Sequence, residues 1–291
     1  KDQLQIDNIA FIAYPLAKKS WLIRLYYEYV YFYFLSLKIK PAYWLSLHDV
    51  TPNVKCNNRI VYCHNPSPFY QTNKTDWYKN TKTYLFSKFY KYLYSINIKK
   101  NTHVIVQQSW LRDYFKSTWN INNVVVAYPN DPVNSFFNND DIRIENNQIK
   151  KFFYPSFPRP FKNFEVICDA YELLPLEYKN KIEIYLTLKE DLNNYASTIY
   201  NKYKHLKGLN FIGLQPYEKV LDFYNKVDAL IFPSKLETWG LPITEFSITG
   251  KPIFLANLPY AKETLGEYDK VCFFNVTNAK DLKDNLVKYI D

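Results

Sequence analysis

Glycine is nearly missing from this 291-residue sequence: there are five, all between Gly208 and Gly266, and the first two hundred positions hold none. A glycine-rich loop, in which backbone without a Cβ approaches a ligand closely, is thereby excluded from that stretch. Methionine is absent altogether, an initiator included. The sequence therefore reads as starting downstream of its natural beginning and as open to methionines dropped from within, and spacings carry weight only inside uninterrupted motifs. Cysteine is sparse: Cys56, Cys63, Cys168 and Cys272 show neither CxxC spacing nor a dense framework. That points to reduced thiols in a cytosolic compartment and indicates no metal site. There is no uninterrupted apolar run of the roughly 20 residues that a membrane-spanning helix requires. The most aromatic stretch, from Ser20 to Lys40, carries Arg24 and Glu28 within its apolar register. It reads as a helix, either lying at a membrane interface with its tyrosines and Lys18, Lys19, Lys38 and Lys40 as anchors, or packed as an ordinary core helix.

What is present is the composition of a folding globular protein, 47% hydrophobic and 22% charged, and long enough for two domains with separate cores. The net charge of +9 is uneven, with seventeen Lys and Arg against six acids in residues 1–120, and twenty against twenty-two in the remainder. The basic half calls for an anionic partner: membrane phospholipid, a lipid-pyrophosphate acceptor or nucleic acid. No RNA- or DNA-binding motif accompanies the charge, so nucleic acid is set aside.

Short β-branched or aromatic runs alternate with longer segments, the rhythm of βα units around parallel strands. Strands are expected at Ile60–Cys63, Val104–Val106 and Val124–Tyr128, then at Phe152–Tyr154, Ile182–Leu186, Leu209–Ile212 and Ala229–Phe232. Helices are expected near Tyr217–Lys226 and over Ala279–Ile290. Between the two series, residues 130–150 are rich in Asn and Asp and read as a linker plus an entering strand. Two α/β domains, 1–150 and 151–291, facing each other across a cleft are the expected architecture, the first of them incomplete at its start.

Chemistry concentrates between Val227 and Gly266. The buried run Ala229–Phe232 ends at Pro233 and Ser234, a loop carries Glu237, Thr238, Trp239 and Gly240, and Leu241 and Pro242 open a helix that contains Glu245. Strand, loop and helix N-terminus make an anion site in an open α/β sheet. The two carboxylates can accept hydrogen bonds from hydroxyls on either side of a bound phosphate, the layout of sugar, diphosphate and ribose.

This block resembles the donor-binding motif of glycosyltransferase family 4, in which two glutamates are separated by seven residues. The surroundings match as well: Pro-Ser before the first acid, Trp239-Gly240-Leu241-Pro242 between the two, and Gly250-Lys251-Pro252 after Glu245. The resemblance implies the two-domain GT-B fold and retaining transfer from a nucleotide-sugar, with Glu237 on the transferred sugar and Glu245 on the ribose. It likewise implies that Thr238, Trp239, Gly240, Leu241 and Pro242 line the donor. Upstream, Tyr154–Asn163 resembles the segment that opens the C-terminal domain, placing Lys162 and Arg159 on the donor diphosphate. A third match, Val61–Pro68, brings His64 toward the donor sugar from the N-terminal domain, with His48 as its competitor; His103 and His205 have no supporting context.

The implied mechanism is front-face attack, in which the departing diphosphate helps to deprotonate the acceptor hydroxyl. No cofactor or metal is expected, since Lys162, Arg159 and backbone amides supply counter-charge. The only acid run resembling a metal-binding DxD, Asn139–Asp141, falls in the linker. A saccharide acceptor, lipid-linked, at the cytoplasmic face of the membrane is expected, as in surface polysaccharide assembly. A nucleotide-sugar epimerase of the same fold and a non-catalytic sugar-nucleotide-binding module are the alternatives.

Overall fold

In the computed structural model, residues 9–65, 67–69, 89–129 and 148–291 are described. They build two parallel sheets. The first contains β1 (Tyr43–Ser46), β2 (Asn58–Cys63), β3 (His103–Val106) and β4 (Val124–Val126) in that spatial order. Its strand order does not reverse among the described residues. Its core is aromatic, with Tyr94 and Phe115 fully buried beside Val61, Val104 and Val106.

The second sheet contains β5 (Lys150–Tyr154), β6 (Ile182–Leu186), β7 (Leu209–Phe211), β8 (Ala229–Phe232), β9 (Ile253–Ala256) and β10 (Val271–Phe274). Their spatial order is β10-β9-β8-β5-β6-β7. Counted from β5, this is the 3-2-1-4-5-6 order of the dinucleotide-binding folds. The chain lays β6 and β7 on one side of β5, then crosses to lay β8, β9 and β10 on the other. Every residue of β8 and of β9 is buried, as the centre of a parallel sheet covered on both faces requires.

The helices show why the sequence folds this way locally. Tyr217–Lys226 has Glu218 in its first turn and Lys226 in its last, which suits the helix dipole, and buries Leu221 and Tyr224 one turn apart. Ala279–Ile290 is capped by the Asn278 side chain, which accepts from the backbone N–H groups of Lys280 and Asp281, and buries Leu282 and Leu286. Both helices match the expected bounds.

The aromatic stretch is helical as Trp21–Tyr26 and Phe32–Ile39, joined by a π-helical turn over Tyr27–Tyr31. Only Glu28 and Ser36 of it are buried, so it is not an ordinary core helix. Among the described residues no helix is long and apolar enough to cross a membrane. The strand expected at Val124–Tyr128 stops at Val126, because Tyr128 turns away to hydrogen-bond Glu263 at 3.2 Å. The expected linker lies, for residues 130–147 and so for Asn139–Asp141, outside the described residues.

The two sheets meet through side chains. Gln108, fully buried, donates through Nε2 to the Tyr260 carbonyl at 3.0 Å and to Thr264 Oγ1 at 2.6 Å, and accepts the Trp110 indole N–H at 2.5 Å. The Ser109 backbone N–H donates to Glu263 at 2.7 Å. Helix Ser109–Trp119 is thereby docked on helix Pro259–Leu265.

Candidate functional site

A doubly wound sheet opens a crevice where its strand order reverses, beyond the carboxyl ends of the two central strands. Here those strands are β5 and β8, paired through Phe152 with Ala229 and Phe153 with Leu230. The loop leaving β5 carries Arg159 and Lys162; the loop leaving β8 carries Glu237 to Gly240. Of the sequence-predicted residues, Arg159, Lys162, Glu237, Thr238, Trp239 and Gly240 thus lie on the two loops the topology would choose, while Leu241, Pro242 and Glu245 lie on the helix that follows and His64 at the end of β2.

The loops are stitched to each other. The Phe161 carbonyl accepts the Lys235 backbone N–H at 2.7 Å and Ser234 Oγ at 3.3 Å. Tyr154 OH donates to the Lys162 carbonyl at 2.8 Å, and Tyr260 OH to the Ser234 carbonyl at 2.6 Å. Asn163, at a left-handed φ of 59°, donates to the carbonyls of Pro233 and Val276. Burial raises both tyrosine hydroxyls well above their ordinary pKa, with the Glu237 charge adding to it, so they remain proton donors at any physiological pH.

On this frame Lys162 Nζ lies 2.5 Å from Glu237 Oε1, with side chains only 19% and 9% exposed. A cation and a carboxylate from two different loops are thus paired at the mouth of the crevice. Arg159 is exposed, its guanidinium lying over the Phe157 and Phe161 rings at 5.6 and 5.9 Å. Thr238 leaves the loop in the other direction and donates to the His64 carbonyl at 2.9 Å, tying the loop after β8 to the end of β2.

His64 itself stacks on Tyr62 and places Nδ1 3.4 Å from Asp49 Oδ1. The same Asp49 oxygen accepts the backbone N–H groups of His64 and Asn65 at 2.7 and 3.0 Å. Asp49 holds this position at φ 67°, a conformation Asp tolerates better than most side chains. Nothing in the sequence pattern singles out Asp49; its role appears only when β1 and β2 are aligned. The competing His48, next to it in sequence, belongs to a different cavity, lined also by Arg24 and Glu28.

Trp239 is buried against Tyr128, ring centroids 5.2 Å apart, and its carbonyl accepts the Thr264 hydroxyl at 2.5 Å. Gly240 has φ 95°, and an added Cβ would lie 3.1 Å from Ile243 Cδ1 and 3.4 Å from Phe232, so glycine is required there on conformation and on space. The helix Leu241–Ser247 that follows has no side-chain cap; Leu241 is exposed and Pro242 stands in the first turn. Glu245 is buried in this helix. Tyr224 OH donates to its Oε2 at 2.8 Å and Tyr217 OH to its Oε1 at 3.3 Å. Sequence reasoning missed both tyrosines, although they sit seven apart on one face of an expected helix.

Lys251 of the Gly-Lys-Pro run is buried away from the crevice. Its ammonium donates to the carbonyls of Tyr224, Asn225 and Val227 at 3.2, 2.6 and 2.8 Å, closing the C-terminal end of helix Tyr217–Lys226. Burial lowers its pKa, with Asp228 opposing. The structure therefore unites Lys162, Glu237, Thr238 and the His64 backbone, holds Glu245 through the neighbouring helix, and leaves Arg159 at the rim.

Comparison with known proteins identifies the family and the fold. The family model described as "Glycosyl transferases group 1" matches residues 136–291. The chain is 21% identical over 257 residues to the O-antigen chain mannosyltransferase RfbU of Salmonella typhimurium, covering 81% of this chain and 64% of the relative. It is 28% identical over 127 residues to the serotype-specific mannosyltransferase WbdA of Escherichia coli, covering 43% of this chain and 15% of the relative. The chain thus spans less than two thirds of the length of either relative. Among solved structures, TarM superposes with a TM-score of 0.61 at 15% identity, over 82% of this chain and 44% of TarM. Anabaena Alr3699/HepE in complex with UDP-glucose gives 0.60 at 15% identity, over 80% of this chain and 63% of that protein. The fold is GT-B.

Proposed function

From the premise that this chain belongs to the glycosyl transferases of group 1, we propose that it moves a sugar from a nucleotide-sugar donor to a saccharide acceptor, with retention at the anomeric carbon, as a family 4 enzyme. The setting is assembly of a bacterial surface polysaccharide, on a lipid-linked acceptor at the cytoplasmic membrane face. In this reading residues 1–150 form the acceptor-side domain and residues 151–291 the donor-binding domain.

The observation that carries the reading is the Lys162–Glu237 pair at the strand-order reversal of the second sheet. A partly exposed ammonium next to a buried carboxylate is poised to exchange partners. An arriving diphosphate takes the Lys162 ammonium, and Glu237 is then free to accept hydroxyls of the transferred sugar. Arg159 joins from the rim. Both cations oppose the charge that develops on the departing nucleoside diphosphate, which is where a transferase gains most from fixed charge. Glu245, oriented by Tyr224 and Tyr217, accepts the ribose hydroxyls, and Gly240 lets the backbone approach the phosphates.

The acceptor oxygen attacks the anomeric carbon from the face the diphosphate is leaving. The C–O bond to the diphosphate breaks, the new glycosidic bond forms, and a diphosphate oxygen takes the acceptor proton. His64, held by Asp49 and by the Thr238 bond to its carbonyl, lines the sugar from the opposite domain. The reading assigns no cofactor and no obligatory metal.

A thermal-shift panel of nucleoside diphosphates and their sugars tests the donor assignment, since a ligand at a hundred times its dissociation constant adds about 2.7 kcal/mol to the folded state. One nucleotide-sugar class raising the melting temperature supports the reading. A flat panel at millimolar ligand overturns it, and free sugar or an isomer formed from donor alone moves the assignment to an epimerase.

A further inference from the structure

The first sheet carries a cavity of about 530 Å³ that the donor site does not use. It lies between the aromatic helix and the end of β1, and its lining includes Lys18, Lys19, Trp21, Arg24, Glu28 and His48. His48, in its lining, directly precedes Asp49, the residue that clamps His64, so the cavity adjoins the carboxyl-end edge of the first sheet, where Thr238 bonds the His64 carbonyl.

Its chemistry is mixed in a specific way. Three cations, Lys18, Lys19 and Arg24, stand against the single carboxylate of Glu28, which leaves an excess of two positive charges with His48 neutral. Neutral His48 is expected near pH 7, because partial burial and the Arg24 charge lower its pKa. Arg24 lies 5.1 Å over the Trp21 ring, which fixes its guanidinium while its N–H groups stay available. Glu28 sits in the π-helical turn, an irregularity often found at functional sites. It is buried, and among the described residues no side chain donates a hydrogen bond to its carboxylate. A simple anion needs no aromatic wall and repels that carboxylate. A plain sugar leaves the cations unanswered.

We propose that this cavity is the acceptor subsite, and that its ligand is a saccharide bearing a phosphate or diphosphate group. Lys18, Lys19 and Arg24 hold the anion, the Trp21 ring covers a sugar face, and Glu28 and His48 accept sugar hydroxyls. The inference rests on the transferase reading above. Two sources supply such a ligand, a water-soluble sugar phosphate and a sugar on a prenyl diphosphate, and they share the recognised group.

The test uses the full chain saturated with a nucleoside diphosphate, so that the donor crevice is filled, and titrates glucose 1-phosphate and farnesyl diphosphate calorimetrically. The double variant Lys18→Glu/Lys19→Glu alters exposed side chains and is checked for folding by circular dichroism. Binding of either probe is expected to weaken by about tenfold to a hundredfold in the double variant and in Arg24→Gln. Nucleoside diphosphate binding should stay as in the parent, which separates failure here from failure of the donor assignment. Preference for glucose 1-phosphate identifies the soluble source, and preference for farnesyl diphosphate the prenyl source. Glu28→Gln should weaken glucose 1-phosphate while sparing farnesyl diphosphate, which has no hydroxyls to offer. Equal affinity of parent and charge variants for both probes overturns the proposal. So does charge-dependent binding to phosphatidylglycerol vesicles with no binding of either probe, which would make the patch a membrane contact.

Discussion

Replacing Lys162 by Met keeps most of the side-chain volume and removes one member of the central ion pair. Glu237 is then a carboxylate with 9% of its side chain exposed and its cation gone. Breaking a buried pair by removing one partner costs about 3–5 kcal/mol, and the low end applies because Lys162 keeps 19% of its side chain in solvent. A loss of about 3 kcal/mol lowers the melting temperature of a protein this size by roughly 6–12 °C. Turnover should fall about a hundredfold to a thousandfold, the usual effect of deleting one fixed charge or donor at a developing anion. The double variant Lys162→Met/Glu237→Leu removes both charges and leaves no uncompensated ion, so its stability should return to the parent level or above it. It should nonetheless stay inactive. Calorimetric melts and initial rates of sugar transfer read the two effects separately. A single variant that melts with the parent, or a double variant no more stable than the single one, refutes the buried pair; turnover within a few-fold of the parent in Lys162→Met refutes its catalytic part.

Tyr224→Phe removes the 2.8 Å donor to Glu245 and should weaken nucleoside diphosphate binding about tenfold in a calorimetric titration, with the acceptor KM unchanged. Glu28 has its pKa raised to about 6 by burial, with Arg24 opposing. The folded chain therefore binds this proton more tightly than the unfolded one, and stability is fullest below pH 4.5 and falls as pH rises through about 6. The change from 4.5 to about 6 corresponds to about 2 kcal/mol, so Glu28→Gln should gain that much at pH 7 to 8 and flatten this part of the pH–stability curve in urea titrations. Gln108→Leu strands the Tyr260 carbonyl and the Trp110 N–H at the contact between the sheets. Hydrogen exchange there should rise, with a loss of about 1–3 kcal/mol in denaturant melts.

Much of the second sheet was legible because fully buried parallel strands announce themselves as apolar runs bounded by loop residues, as at Ala229–Phe232. Helices Tyr217–Lys226 and Ala279–Ile290 also lie at the positions expected from the sequence. β1 was not, since it is an edge strand in which only Ser46 is buried, so burial leaves no regular pattern in its sequence. β9 and β10 were hidden behind the motif that drew attention to the residues before them. The site showed the same division. Glu237, Gly240 and Glu245 stood out because their motif is contiguous, and Lys162 because a second short segment resembles the family; Lys162, Glu237 and Gly240 lie on the loops at the strand-order reversal, and Glu245 on the helix that follows. Asp49, Tyr217, Tyr224 and Gln108 act across distances that a linear reading cannot see. Lys251 sits in the motif yet serves the fold, because its partners are three helix-end carbonyls rather than a ligand.

The central claim is that one acidic side chain grips the sugar and another the ribose of a single bound donor. Calorimetric titration of the full chain, Glu237→Gln and Glu245→Ala with nucleoside diphosphates and their sugars tests it most directly. The account predicts a parent dissociation constant between about 1 μM and 1 mM for one nucleotide-sugar. In Glu237→Gln the sugar's contribution should vanish while the bare nucleoside diphosphate binds as before, and in Glu245→Ala both ligands should weaken together. No binding by any nucleotide-sugar, or identical affinities in all three proteins, would contradict it.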